Sequence, residues 1–598
     1  MHRQRRRLGA PPPPPAAAAT TDADKRVHES TGLGMSANGG WSHIISFSDV
    51  WERTQVMSLV CLAFLRAASA LPRSAKFNLE LLGGVDLFSF EKVRAAHARF
   101  PALYNVVVGV SSAEDDDEES YGEDEYVVPG LQLLLPQLAR FTCITELNLN
   151  EQGLASFPDS LCALTGLKKL NLFYNKIAAL PDAIRGLKEL TDLHVGENQL
   201  TALPDTLGVL TGLTELIADS NKLTVLPDSI AALALMKTLD LSGNKFTTFP
   251  NPIVKLTSLT TLNLEGNQLV TLPDSMAALT ALNKLNLGGN DFTTLPKPII
   301  KLKSLMELEL SGNQLVTLPD SMAALTTLTD LDLFGNKFTA FPTPIVKVTS
   351  LTKLDLCANQ LVMLPDSIAA LTALERLKLA ENQLVTLPDS IAALTALKIL
   401  YLGGNQLATL PDTLAALTAL KELVLHNNKF TTLPNAIVKL TRLKNLHLSS
   451  NQLVALPDSM AALTALKNLN LHSNKFTTLP KPIAKLTCLT ELHFGDNQLV
   501  RLPDSIAALT ALRELRLENN QLVTLPDSIA AMAVLESLSI SYNNFVTLPD
   551  SIGALTALGE LYLYDNPLAK PQSTAVEVWL AVLLAGSCTV AMPQRWFE

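Results

Sequence analysis

Leucines recur along this chain in a fixed phrase, L-x-x-L-x-L-x-x-N-x-[LF]-x-x-L-P, as in Leu259–Pro273 (LTTLNLEGNQLVTLP), and the phrase returns every 23 residues. Its asparagine keeps register without a slip: Asn175, Asn198, Asn221, Asn244, Asn267, Asn290, Asn313, Asn336, Asn359, Asn382, Asn405, Asn428, Asn451, Asn474, Asn497, Asn520, Asn543 and Asn566. One period before Asn175 stands Gln152, a degraded first copy. A fixed period of this size marks stacked supersecondary units, each in contact with its neighbours only. The L-x-L core of the phrase predicts a short strand. Its leucines point inward and the residues between and beside them point outward, because strand side chains alternate. The following L-P-D-S-[IM]-A-A-L-T-A-L predicts a helical turn that Pro starts, that Asp and Ser are placed to cap, and whose Ile and Leu bury against the strand. The expectation is an α/β solenoid (a horseshoe) of about 19 repeats of 23 residues, with a concave parallel sheet and convex short helical turns.

The asparagines read as structure. Each sits where the chain leaves the strand and turns inside the core, so its amide is expected to bond backbone groups of its own and the next repeat. A second pattern overlies the first. Units with N-K-F-T, at Asn244, Asn336, Asn428 and Asn474, alternate with N-Q-L-V units, which reads as duplication of a two-repeat block with Phe replacing Leu in the core.

Function, on this reading, lies on the inner face. The residue between the two strand leucines is exposed there once per unit, and three zones follow. From Asp240 through Glu309, Asp332 and Asp355, with Glu265, Glu307 and Asp330 beside them, the face is acidic and suited to a basic protein surface. At Arg376, Lys378 and Tyr401 the sign changes and an aromatic enters. Farther on, His426, His447, His472 and His493 fall in four consecutive units, followed by Arg513 and Arg516; they read as surface, with no metal site expected because a metal needs tighter convergence. Asp240, Glu265, Glu309, Asp332, Asp355, Lys378, Tyr401, His447, His493 and Arg516 are the candidate protein-binding residues, Tyr and Arg being the side chains that dominate interface energetics.

The repeat phrase with L-P-D-S-I-A-x-L resembles the intracellular Ras-group leucine-rich repeats, found in Ras-signalling scaffolds, in plant intracellular Ras-group-related proteins and in disease-resistance-type repeat domains. The resemblance covers about 144–568. It implies an intracellular scaffold or adaptor holding signalling proteins, small GTPases, kinases or phosphatases among them, on its concave face; a defence or pathogen-sensing role is a further alternative. A second resemblance lies upstream. Val60-Cys61, Phe64, Arg66 and Ala67-Ala68, within 48–68, are similar to the later half of an F-box, which would imply the substrate-recognition subunit of a ubiquitin ligase.

The ends and the composition refine this outline. Residues 1–40 are rich in Arg, Pro, Ala and Gly and read as a disordered tail. Residues 41–111 read as a small helical cap or divergent repeats, with a helix from Asp49, a strand at Phe77–Leu82, a helix at Phe90–Arg99 and a strand at Leu103–Val108. Residues 112–130 are an acidic insertion. Its run EDDDEESYGEDE at 114–125 carries nearly all of the net charge of −10, so no basic face stands out for nucleic acid. The solenoid spans 131–568, and 569–598 read as a capping helix and tail, too polar for a membrane span. The six cysteines are scattered, and no N-x-[ST] site occurs, which favours a reducing, cytoplasmic compartment. No P-loop, H-E-x-x-H, G-x-S-x-G or kinase signature is present. The expectation is a monomeric, non-enzymatic binding protein without a cofactor.

Overall fold

The computed structural model describes residues 77–80, 105–109, 135–136, 144–586 and 588–591. The expected tail at 1–40, the helix from Asp49, the F-box-like stretch at 48–68, the helix at 90–99 and the acidic insertion lie outside the described residues. Contacts group the chain into two units, residues 1–235 and 236–598.

In the first unit the described strands β1 (Phe77–Glu80), β2 (Asn105–Gly109), β3 (Glu146–Asn148), β4 (Lys169–Asn171), β5 (Asp192–His194) and β6 (Glu215–Ile217) pair in sequence order, all parallel. In the second unit, strands follow every 23 residues from β7 (Thr238–Asp240) to β21 (Glu560–Tyr562), and β22 (Thr589–Ala591) closes the sheet. Register sets leucine on leucine: Leu308 lies opposite Leu331, and Leu331 opposite Leu354. Each three-residue strand from β3 to β21 buries its middle leucine and leaves its two flanking side chains on the open face. That is the alternation the L-x-L text encodes.

The core is a stack of identical layers. Leu262, Leu264, Leu269, Met276, Leu279 and Leu282 of one repeat are each fully buried. In the N-K-F-T units Phe246, Phe338, Phe430 and Phe476 occupy the same interior column as Leu269, also fully buried, so the Phe swap is core packing.

The turns are five-residue 3-10 segments, such as Asp274–Ala278, entered from an extended Pro273. The backbone closes them, with Met276 N–H donating to Pro273 O and Leu279 N–H to Met276 O, both at 3.0 Å. Here the sequence expectation is corrected. Asp and Ser make no side-chain cap, because the cap position itself is Pro, whose side chain carries no acceptor, and the Asp already lies inside the turn. In several units the Asp instead accepts from the hydroxyl of the next turn: Ser528 Oγ to Asp504 (3.3 Å), Ser551 Oγ to Asp527 (3.2 Å) and Thr413 Oγ1 to Asp389 (3.1 Å).

The asparagine ladder is also corrected, in direction. Asn313 Nδ2 donates to Leu310 O (3.1 Å) and Ser311 O (3.1 Å) in its own repeat and to Leu287 O (2.9 Å) in the preceding one. Its Oδ1 accepts from Phe292 N–H (3.0 Å), again in the preceding repeat. Each amide therefore reaches back, not forward. The same four partners recur in successive units, for example at Asn198, Asn382 and Asn474. Gln152 keeps only part of the set: its Nε2 donates to Asn150 O (2.9 Å).

One residue before each ladder asparagine the backbone turns left-handed. Glycine fills the position at Gly243, Gly266, Gly289, Gly312, Gly335 and Gly404, and other residues hold φ near +50°, among them Ala358 (51°), Ser473 (52°) and Asp496 (50°).

After the last unit comes helix α1 (Thr574–Ala585), whose first turn is capped by Ser573 Oγ accepting from Val576 N–H (3.3 Å). Val576, Trp579, Leu580 and Leu583 are buried, and Trp579 Nε1 donates to Leu555 O (3.4 Å). Gln572, just before the helix, has Nε2 donating to Val546 O and Ala569 O and Oε1 accepting from Leu548 N–H. It applies the amide chemistry of the ladder at the end of the stack. No helix among the described residues is long and apolar enough to cross a membrane.

Candidate functional site

Because the strands are in register and only their middle residue is buried, the flanking side chains form two parallel columns on the open face. In the second unit the first column contains Glu307, Asp330, Lys353 and Arg376, and the second Glu309, Asp332, Asp355 and Lys378. Adjacent members sit one strand spacing apart, ~4.8 Å.

The two columns of the acidic stretch differ. In the first, lysines intervene: Lys284–Glu307 (2.6 Å) and Lys353–Asp330 (2.6 Å). In the second, Glu309, Asp332 and Asp355 stack directly, and only Asp355 has a cation on it, Lys378 at 2.8 Å. Asp332 accepts Phe334 N–H (2.8 Å), which favours its charged form; burial and the neighbouring Asp355 outweigh this and hold its carboxyl above the usual range. Burial, then Asp332 and Glu265, raise Glu309 in the same way. At the near end of the zone Asp240 is satisfied locally, by Ser242 N–H (2.9 Å), Ser242 Oγ (2.6 Å) and Asn263 Nδ2 (2.9 Å). Glu265 accepts from Asn286 Nδ2 (2.8 Å).

Where the sign changes, Lys378 Nζ lies 6.0 Å from the Tyr401 ring centre. The Tyr401 hydroxyl donates to Glu422 Oε1 (2.7 Å), and burial together with that bond pushes its pKa up to about 12. The Lys378–Asp355 hydrogen bond raises the lysine despite partial burial.

The histidines do not form a bare surface. His493 Nε2 lies 3.0 Å from Glu514 Oε1, and His472 Nε2 lies 2.7 Å from Asp496 Oδ2, with Glu518 Oε1 3.7 Å from the other ring nitrogen. His447 is half-buried, and desolvation lowers its pKa. Arg516 Nε is 2.5 Å from Glu514 Oε1, and although burial opposes it, Arg516 and His493 hold the Glu514 carboxyl below the usual range. The structure thus brings His493 and Arg516 together on Glu514, while Asp240 and His447 belong to separate neighbourhoods. Glu422, Glu491, Asp496, Glu514 and Glu518 were not singled out from sequence. The available signal was a carboxylate 21 residues after the His or Tyr, the diagonal step that joins His194–Glu215, Tyr401–Glu422 and His493–Glu514.

Among the described residues Cys162, Cys357, Cys488 and Cys588 are free thiols. Burial and the nearby Asp159 push the Cys162 thiol up to about 11, and burial raises Cys357 further, so neither is a thiolate nucleophile.

Comparison with known proteins agrees with this architecture. The family model described as "Leucine rich repeat" matches residues 211–269, 280–338 and 349–407 and overlapping segments from 409 to 568, more than half of the chain. A solved leucine-rich-repeat protein of Leptospira interrogans is similar at 28% identity with a TM-score of 0.51, over 76% of this chain and 98% of that one. YopM from Yersinia enterocolitica is similar at 25% identity and 0.51, over 80% and 97%. A plant peptide hormone receptor in complex with RGF2, at 23% identity and 0.52 over 94% of each chain, shares the fold. No curated protein sequence matches. With the periodic core, the in-register parallel strands and the asparagine ladder already in view, the family match completes the assignment: the chain belongs to the leucine-rich repeat family.

Proposed function

We propose that this protein is a non-enzymatic intracellular scaffold or adaptor in signal transduction that holds partner proteins on the open face of its sheet. Leucine-rich repeats are generally protein-interaction domains. One observation carries the finer reading. The second column at Glu309 and Asp332 stacks carboxylates at successive strands with no cationic side chain among the described residues paired to them, although the neighbouring column is neutralised by lysines. Like charges directly opposite one another destabilise a sheet, so an unneutralised stack is a surface that gains from a basic partner. Tyr401 and Arg516, on later strands of the same face, are the proposed anchors. The free cysteines accord with a reducing, cytoplasmic setting.

The test is affinity purification from cells with wild-type protein and with Asp332→Lys combined with Glu309→Lys. Partners retained by wild type and lost from the reversed variant support the reading. An unchanged partner set, with the variant folded by circular dichroism, sinks it.

A further inference from the structure

Register forces one convergence that the binding reading does not use. Glu491 and Glu514 are direct neighbours on adjacent strands, and His493 stands two residues beyond Glu491 on the same face. The three side chains lean together, and one donor atom from each lies within 4.8 Å of the other two. The set is chemically mixed, two carboxylate oxygens and one imidazole nitrogen, which is the ligand type of zinc and related divalent ions. We propose that Glu491, His493 and Glu514 form a divalent transition-metal site, with the remaining coordination positions open to solvent or to a partner side chain.

Three features shape the site. Metal–ligand distances of about 2.0–2.2 Å require the donors to draw closer than they stand, a movement within the reach of two half-exposed glutamates on a fixed backbone. Asn468, opposite Glu491 on the preceding strand, donates its Nδ2 to Glu491 Oε2 and fixes that carboxylate from outside, as ligand-orienting groups do. Its own Oδ1 is buried without a hydrogen-bond partner. Arg516 competes, because its guanidinium occupies the Glu514 carboxylate that a metal would share.

The chain also contains a near copy. Asp192, His194 and Glu215 repeat the order and register of the set, and His194 Nε2 lies 2.8 Å from Glu215 Oε1. Asp192 is one methylene shorter than Glu491, and its carboxylate is held by Thr191 Oγ1 at 2.5 Å. Among the described residues only the Glu491 set brings three such donor atoms within 4.8 Å of one another. The inference does not rest on the scaffold reading.

The experiment uses full-length protein stripped with chelator and titrated with cobalt(II), followed by its visible absorption, and with zinc(II) by calorimetry at pH 7.5. Wild type is expected to bind one equivalent that is lost in His493→Ala and in Glu491→Gln, each checked for native circular dichroism. Asn468→Ala should weaken binding about tenfold. Arg516→Gln should tighten it, a direction that unfolding cannot mimic. Binding unchanged in His493→Ala, binding that moves with His194→Ala instead, or no saturable binding to wild type would overturn the proposal.

Discussion

The acidic stretch (Asp240 to Asp355) and the histidine stretch (His426 to Glu518) share the leucine core and the asparagine ladder, yet they handle charge in opposite ways. In the acidic stretch the left-handed position before the asparagine is glycine in five successive units, Gly243 to Gly335, so no side chain leaves the turn to cross the face. The stacked Glu309 and Asp332 are left to repel one another. In the histidine stretch that position carries Asn427, Ser450, Ser473, Asp496 and Asn519. Asp496 uses it to reach His472, and Glu514 reaches diagonally back to His493 on the preceding strand. A single backbone position thus helps to decide whether charge on the face is stored or paired.

The largest effect expected is common to both stretches. Asn336→Ala and Asn474→Ala each strand several buried backbone groups and should cost roughly 3 kcal/mol. Chemical denaturation would read the loss, and costs below about 1 kcal/mol at both positions would show that the ladder is not structural. A smaller effect separates the stretches. Gly312→Ala places a Cβ on a backbone of φ +60° and should destabilise by about 1 kcal/mol, whereas Ser450→Gly in the histidine stretch, already left-handed, should be neutral or mildly stabilising. Equal responses would break the comparison.

The response to pH divides them further. His447 has a lowered folded pKa, so its share of stability is present above its ordinary pKa near 6.5. That share is lost as pH falls from there through the folded value. Glu309 and Asp332 have raised folded pKa values, so the native state binds their protons more readily, and acidification from the raised values down to the ordinary carboxylate range stabilises it. Hydrogen exchange should therefore show protection falling near His447 between pH 7.5 and 5.5, and protection rising near Asp332 only as pH falls on toward the ordinary carboxylate range. His447→Gln should flatten the first trend only. The smallest effect is Asp332→Asn, which keeps the acceptor for Phe334 N–H and removes the stacked charge; melting should show a gain of about 0.5 kcal/mol at neutral pH. A loss would mean that the stack is not repulsive.

Much of this architecture could be read from the text because a repeat states each rule many times. Leu262 and Leu264 point inward wherever the phrase occurs, and Phe246 simply takes the place of Leu269. What escaped were relations between copies. The reach of Asn313 back to Leu287 depends on how one coil seats on another, and the sequence reading had the neighbour reversed. Asp274 looks like a cap until the geometry puts Pro273 in the cap position. The pairing of His493 with Glu514 needs the diagonal of the sheet, whereas scanning one column of outward residues meets Arg516 first. Glycine recurring before asparagine was the unread signal for the left-handed turn.

The backward reach of each asparagine makes every coil both plug and socket: it supplies an amide to the coil before it and offers its own backbone to the coil after it. A block cut out or copied in at whole-period intervals leaves every interior plug matched with a socket, and only the ends need special fittings such as Gln572. Unequal recombination between copies can therefore change the length of the binding face without unmaking the fold. The alternating N-K-F-T and N-Q-L-V blocks carry the trace of that growth.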